Sequence, residues 1–572
     1  MNATQPPSPD QDPSTFLDRV ATSVPLFGVA LDAHRQGQMA KARSIYLDLI
    51  DQPGMAAVCL HQLGVVAGHQ GDHGRAAELI SRAISLDGSQ PMFFQNLAVS
   101  LERQGNVTAA LDALIDFGCA LQKGELHSQA IPIYRRVLAA DPRRYAAYVN
   151  MGTGLAWMGE TSAAVPALLT GVALYAHLLP ELKDFLDQLL PPLRTGGVLD
   201  EGFSLPLAPP SGVVNMIEHA LATLGKALTE LGYPAEALLS YRTSLAIEPG
   251  FALAHWNLAL ALLTDGDFVN GWREYEWRWH WDKFPEVKRR LPAPEWRGQP
   301  LAGKRIVVYA EQGYGDATQF SPLVRRLAAE AGSLLFEVTS PQVRLFRESF
   351  DGGNIMVIER SANPHLVRTH LDFDYVVSLM SLPERMGLSL DDLPLAIDYL
   401  KPMAGDKARW SERLAPARGL KVGLVWAGRP THSDDRKRSL PLATLARLFD
   451  VEGAAWLSLQ VGPATAQLSA IETPIRDLSA DLHDFADTAA AIANLDLIIT
   501  VDTAVAHLAG GLGKPTWVLL PRITDWRWGG ESADTPWYPT MRLFRQAAIG
   551  DWDPVIERVR HALVDHLAAP DA

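Results

Sequence analysis

Residues 304–320 read KRIVVYAEQGYGDATQF. A short β-branched run stops at a turn with two glycines, Gly313 and Gly315, and a carboxylate, Asp316, opens the stretch that follows. This is the order strand, glycine-rich turn, helix. Further apolar runs follow at LLFEV (334–338), NIMVI (354–358) and DYVVSL (374–379). A second series holds KVGLVWAG (421–428), AWLSLQV (455–461), LDLIITVD (495–502) and PTWVLLP (515–521), and DWDPVIERVRHALVDHL closes the chain as an amphipathic helix. Apolar strands alternating with helical stretches predict parallel, doubly wound sheets. The two halves, 286–400 and 421–572, are separated by a Pro-, Gly- and Lys-containing linker at 401–420. Two such halves in tandem place a cleft between them, and ligands of open α/β sheets bind at strand carboxyl ends.

Upstream the pattern is helical and repetitive. Gly37, Gly71 and Gly105 are spaced by 34 residues, and Ala42, Ala76 and Ala110 follow them at the same interval. Gly232 and Gly266 are again 34 apart, whereas Gly124 and Gly159 are 35 apart, so the phase breaks between Gly105 and Gly124. Glycine permits a tight turn between paired helices and alanine lets them approach closely. The period resembles the tetratricopeptide repeat (TPR) over about 30–180 and 215–280, which makes 16–285 a helical array with an irregular insertion near 180–212. Residues 1–15, rich in Pro, Ser and Asp, are expected to be a disordered tail.

Composition narrows the function classes. The 572 residues include 65 acidic and 51 basic side chains, a formal charge of −14, which is a poor footprint for nucleic acid. Two cysteines, Cys59 and Cys119, give neither a disulfide framework nor a thiolate zinc site. The N-terminal MNATQPPSPDQDPSTF has no basic and apolar signal pattern, and no run approaches a membrane span. A cytoplasmic protein is expected.

Three strand-end loops carry candidate chemistry. In the first, Gly313 and Gly315 allow a sharp turn and close approach to a ligand, and Asp316 either caps the helix or serves as a general base. The second, VWAGRPTHSDDRKRSLP (425–441), presents Arg429, Thr431, His432, Arg438 and Ser439, cations and hydroxyls suited to a diphosphate. A solvated charged loop is the alternative, since Asp434 and Asp435 lie within it. In the third, TVDTAVAHLAGGLGKP (500–515), a strand ends at Asp502 and a helix opens at Thr503 and Ala504, an anion site by virtue of its free N–H groups. His507 lies one turn further on. Beyond it, Trp526 and Arg527 are candidate contacts to a base or sugar, with ordinary packing the alternative.

Strand–GxGD–helix, then W-x-G-x-P-x-H-x-x-D-x-x-R-S-x-P-L from Trp426, then VDTAxAHLAGxLGKPxWVLLP from Val501, resemble in that order the heptosyltransferase-like glycosyltransferases of family 9. The resemblance spans about 300–566. It implies a GT-B fold, two Rossmann-like domains facing a cleft, behind an all-α TPR superhelix. It further implies that Asp316 deprotonates the acceptor hydroxyl, that Arg438 contacts the donor diphosphate, and that Asp502, Thr503 and Ala504 form the donor-binding helix start. No metal or other cofactor is required in that fold. Asp372-Phe-Asp374 and Asp551-Trp-Asp553 have DxD spacing but sit where capping explains them.

The expected function is therefore inverting transfer of a sugar from a nucleotide-sugar donor to a hydroxyl. The layout is similar to that of bacterial flagellin glycosyltransferases, so the array is expected to recruit a protein acceptor such as flagellin. The alternatives are transfer to lipopolysaccharide or exopolysaccharide intermediates, and a non-catalytic TPR adaptor. Repeat arrays often self-associate, so an oligomer is compatible. Five of the fifteen tryptophans, Trp272, Trp277, Trp279, Trp281 and Trp296, crowd residues 268–297. They are expected to form a hydrophobic seam, with nucleic-acid or sugar stacking as the alternative.

Overall fold

The computed structural model describes residues 15–200, 202–206, 208–212, 216–431, 435–470 and 474–568. The expected tail at 1–15 lies, apart from Thr15, outside them. Two compact units divide the chain, Met1–Ala254 and His255–Ala572. Among the described residues no helix is long and apolar enough to cross a membrane.

The first unit is all helix, beginning with Thr15–Ser23. Its turns explain the glycine spacing: Gly37, Gly71, Gly105, Gly159 and Gly232 all take φ between 77° and 85°, the left-handed region that ends one helix before the next. The phase break has a specific cause. Gly124 is not the turn residue; Glu125 is, at φ 62°, and it stands 34 residues before Gly159. Five residues beyond each turn residue, Ala42, Ala76, Ala110, Ala130, Ala164 and Ala237 are fully buried, which places Ala130 in register with Glu125. Seven residues before the turns, Gly64, Gly118, Gly152 and Gly225 face Ile80, Tyr134, Leu168 and Tyr241, and a Cβ there would come within about 2.6 Å of those side chains. The repeat thus continues through the break because one long helix, Val107–Lys123, packs on both Pro91–Arg103 and His127–Ala140.

The insertion near 180–212 is less irregular than its prolines suggest. It holds a helix, Leu182–Thr195, that buries Leu182, Phe185, Leu186, Leu189 and Leu193, an apolar stripe at helical spacing.

The second unit contains two parallel sheets. The first has β1 (Arg305–Tyr309), β2 (Ser333–Val338), β3 (Ile355–Glu359) and β4 (Tyr375–Ser378) in the order β3-β2-β1-β4. The second has β5 (Leu420–Val425), β6 (Ala454–Ser458), β7 (Arg476–Asp477), β8 (Leu497–Val501), β9 (Thr516–Leu520) and β10 (Met541–Arg545) in the order β10-β9-β8-β5-β6-β7. All their pairings are parallel. Strand order reverses between β1 and β4 in one sheet and between β5 and β8 in the other. Those switch points are where helices on opposite faces diverge and leave a crevice. The loops after β1, β5 and β8 are the three singled out by sequence.

Two strands, β7 and β10, have no counterpart among the expected ones. β7 is two residues long, and β10, MRLFR, is broken by two arginines. The stretch read as a linker, 401–420, holds a helix, Ala404–Leu414, with Trp410 and Leu414 buried on one face. The tryptophan-rich segment belongs to the second unit's core: Phe268, Trp272, Tyr275 and Trp296 are buried with Ile306, Val308 and Phe320.

Candidate functional site

The loop after β1 owes its shape to a residue other than its glycines. Gln312 takes φ 62°, whereas Gly313 is extended at φ −83°. The sharp turn expected at Gly313 and Gly315 is made at Gln312 instead, whereas the close approach expected of them is present at Gly315. A Cβ on Gly315 would lie 2.8 Å from His507 Cδ2 and 3.7 Å from Ala504 Cα. A non-glycine residue at positive φ costs on the order of 1 kcal/mol and persists where its surroundings hold it. Here Tyr275 donates from its hydroxyl to Gln312 Oε1 at 3.0 Å.

Behind the loop, Arg278 is fully buried and donates through Nε and Nη2 to Glu311 Oε1 at 3.1 and 2.8 Å. It also donates to Glu276 Oε1 at 2.6 Å and Ser381 Oγ at 2.8 Å. Burial pushes the Glu311 carboxyl up and Arg278 pulls it back. This anchor was missed in the sequence because WREYEWRWHW reads as an aromatic string; the basic residue inside it does the holding.

Asp316 fills the capping role considered for it and makes one further contact across the two sheets. Its Oδ2 accepts the Gly313 N–H at 2.7 Å, closing the first turn of the Tyr314–Phe320 helix. Its Oδ1 accepts from Arg527 Nη2.

The loop after β5 is pinned from below. Gln460 accepts the N–H groups of Trp426 and Ala427 at 3.1 and 3.0 Å and donates to the Ala427 carbonyl at 3.1 Å. Ser439 Oγ accepts the Gly428 N–H at 2.8 Å and donates to Asp435 at 2.9 Å. Arg438 lies over Gly428, where a Cβ would meet its Nη2 at 2.9 Å. Among the described residues its Nε has no hydrogen-bond partner, the Asp435 carboxylate being 3.6 Å away. Arg429 and Thr431 are exposed at the loop's tip. His432 lies outside the described residues, as do Ser433 and Asp434.

At the end of β8, Thr503 precedes the Ala504–Gly511 helix in an extended conformation, and its hydroxyl meets Thr500 Oγ1 at 3.2 Å instead of capping. The first N–H groups of that helix therefore receive no side-chain cap from Thr503. Asp502 is half-buried beside them. Burial and the nearby Asp525 raise its carboxyl above the usual range, while Arg438 and Arg527 draw it down.

The three loops thus share one electrostatic neighbourhood. His507, expected among donor contacts, is buried with its ring stacked on Trp528 at 5.3 Å and Nδ1 3.1 Å from the Tyr538 hydroxyl. Burial, then Arg527 and Arg438, depress its basicity to about 3, so it is a neutral packing residue under Gly315. Trp526, expected near a base or sugar, is buried against Trp272, Phe320 and Trp537 and is corrected to core. Arg527, next to it, lays its guanidinium over the Trp526 ring at 4.2 Å from the centroid. Its Nε donates to Gln319 Oε1 at 2.8 Å and its Nη1 to Asp525 Oδ1 at 2.8 Å. Asp525 and Gln319 were missed because their roles depend on a contact 208 residues long in sequence for Gln319 and on a three-residue turn for Asp525.

A family model for the tetratricopeptide repeat matches residues 61–116. Protein FlbA of Caulobacter vibrioides is 24% identical over 586 residues, covering 94% of this chain and 89% of its own. Among solved structures, a glycosyl transferase family 9 protein from Veillonella parvula is 13% identical, covers 48% of this chain and 99% of its own, and has a TM-score of 0.36. The E. coli ADP-heptose LPS heptosyltransferase II is 16% identical, covers 46% and 100%, and has a TM-score of 0.32.

Proposed function

We propose that this protein is a glycosyltransferase that moves a sugar from a nucleotide-sugar donor to a hydroxyl of an acceptor recruited by the helical array. The observation that carries the reading is the approach of Gly315 to Ala504 and His507, which brings the Asp316 carboxylate from one sheet to the cationic loop and free helix start of the other. Arg438 and the N–H groups from Ala504 onward are suited to a diphosphate. Asp316 accepts the acceptor's proton as its oxygen attacks the anomeric carbon. The bond from that carbon to the diphosphate breaks, and the nucleoside diphosphate leaves with its charge held by Arg438 and the helix dipole. One displacement inverts the anomeric centre, and the cations present serve the leaving group without a metal.

The acceptor belongs to the same proposal. A solenoid of helix pairs offers an extended surface suited to a protein segment, such as a flagellin-like subunit, more than to a small sugar. Donor and acceptor then meet in the cytoplasm. The test incubates the full-length protein with a panel of nucleotide sugars and measures nucleoside diphosphate release. Asp316→Asn retains nucleotide binding and loses turnover by at least about a hundredfold, as expected for a general base. Release at the wild-type rate would reduce Asp316 to a helix cap.

A further inference from the structure

Around the proposed donor site the charges do not favour an incoming anion. Asp316, Asp502 and Asp525 surround Arg527 and Arg438, and Asp435 faces Arg438. Four carboxylates share two guanidinium groups among these residues. A diphosphate brings further negative charge, and a guanidinium that leaves a carboxylate for it adds to what Arg438 and the uncapped start of the Ala504–Gly511 helix supply.

Arg527 is placed to do this. It stands on the short turn Trp526–Trp528, between β9 and β10, directly before Gly529 at φ 64°. Asp525 travels with it, because its carboxylate accepts both the Arg527 side chain and the Arg527 N–H at 3.0 Å. Asp316 does not travel with it: it is fixed to the opposite sheet's loop by the Gly313 N–H. The contacts of Arg527 to Asp316 and to Gln319, both on the Tyr314–Phe320 helix, are therefore the ones that yield when the turn shifts.

Resting on the donor-site reading, we infer that Arg527 is a further donor-binding residue that holds Asp316 as an ion pair in the empty enzyme and passes to the diphosphate when the donor arrives. Asp316 is masked until then. Once released, its Oδ1 has lost the cation and accepts the acceptor's proton, while Oδ2 keeps its bond to the loop. The donor thus unmasks the base that acts on the acceptor, which orders binding, donor first, and suppresses proton abstraction in its absence.

The test is a double-mutant cycle on full-length protein, titrated with UDP, GDP and ADP by calorimetry, with thermal melts confirming that each variant folds. Asp316→Asn frees Arg527 and tightens binding of the selected nucleoside diphosphate by roughly tenfold, the scale of a close, desolvated charge pair. Arg527→Ala weakens it by a similar factor, and Arg527→Lys falls between. The decisive outcome is the double variant: the gain from D316N disappears on the R527A background. A D316N gain of the same size with and without Arg527 would reflect loss of a negative charge alone and overturn the exchange, as would equal affinity of D316N and wild type. If R527A does not fold, Arg527→Gln carries the same comparison. If no nucleoside diphosphate binds the wild type, the donor-site reading itself falls and the exchange with it; binding without coupling overturns only the exchange.

Discussion

The carboxylate of Asp316 and the guanidinium of Arg527 are in direct contact although 211 residues separate them in sequence. One follows the first strand of the first sheet, and the other sits between the last two strands of the second. Their contact brings the ends of two Rossmann-like sheets to one point, with Gly315 against His507 as the supporting steric contact. Neither glycine of the GYG turn is there to bend the chain; Gln312 bends it, and the glycines clear the space.

Arg438 is expected to bind the donor's diphosphate, because its Nε lacks a hydrogen-bond partner among the described residues and its loop is held by Gln460 and Ser439. Arg438→Ala weakens nucleoside diphosphate binding about tenfold or more and leaves acceptor affinity unchanged. Calorimetry with each ligand separately checks this; equal donor affinity in the two proteins removes Arg438 from the site.

Arg278 is expected to be a positioning residue. It and Glu311 are both almost completely buried, so Arg278→Met leaves a carboxylate without its counter-ion. The loss is about 3–5 kcal/mol of stability in the second unit. Adding Glu311→Gln recovers part of it, because the stranded charge is gone. Denaturant melts of the two variants provide the comparison, and a double variant no more stable than R278M would contradict the assignment.

Glu125 occupies a left-handed turn position that glycine fills elsewhere in the array. Glu125→Gly is expected to stabilise the helical unit by about 0.5–1 kcal/mol, and Gly71→Ala to destabilise it by about 1 kcal/mol. Opposite shifts in melting temperature test both statements. A destabilising E125G would mean that the Glu125 side chain makes a contact worth more than its backbone strain.

Acid should weaken both units through buried histidines. His507 and His61 each titrate near 3 in the fold against 6.5 ordinarily, chiefly because burial disfavours the imidazolium. The unfolded chain therefore takes up the proton first. Each contribution is fully present above pH 6.5 and declines as the pH falls towards 3, by about 2 kcal/mol between pH 6.5 and 5. His507→Asn is expected to lower stability at pH 7 and to reduce the loss on going to pH 5. Calorimetric melts at the two pH values measure this, and an unchanged acid loss in H507N would show that His507 does not carry it.

The parallel sheets were legible because buried strands such as LIITV and WVLL are almost wholly apolar and alternate with helices. The repeat was legible because left-handed turns select glycine, and it became illegible where Glu125 does that job. β10 was hidden by its arginines, and the Ala404–Leu414 helix by the charged residues around Trp410. Within the candidate site, strand-end position singled out Asp316, Arg438 and Thr503, because the end of a buried strand is marked locally by the apolar run that stops there. The partners Gln319, Asp525 and Tyr538 depend on which side chains meet across two sheets, and no local pattern in the sequence records that. The same limit explains Trp526 and His507, whose neighbours turned out to be aromatic side chains.

The loops after β1, β5 and β8 are expected to form one donor site. Hydrogen exchange of the full-length protein, with and without the nucleoside diphosphate that calorimetry selects, measures this. Concerted protection of 310–316, 426–442 and 502–507 is expected on binding. Protection confined to one of these segments, or found in the helical array with these loops unchanged, would contradict it.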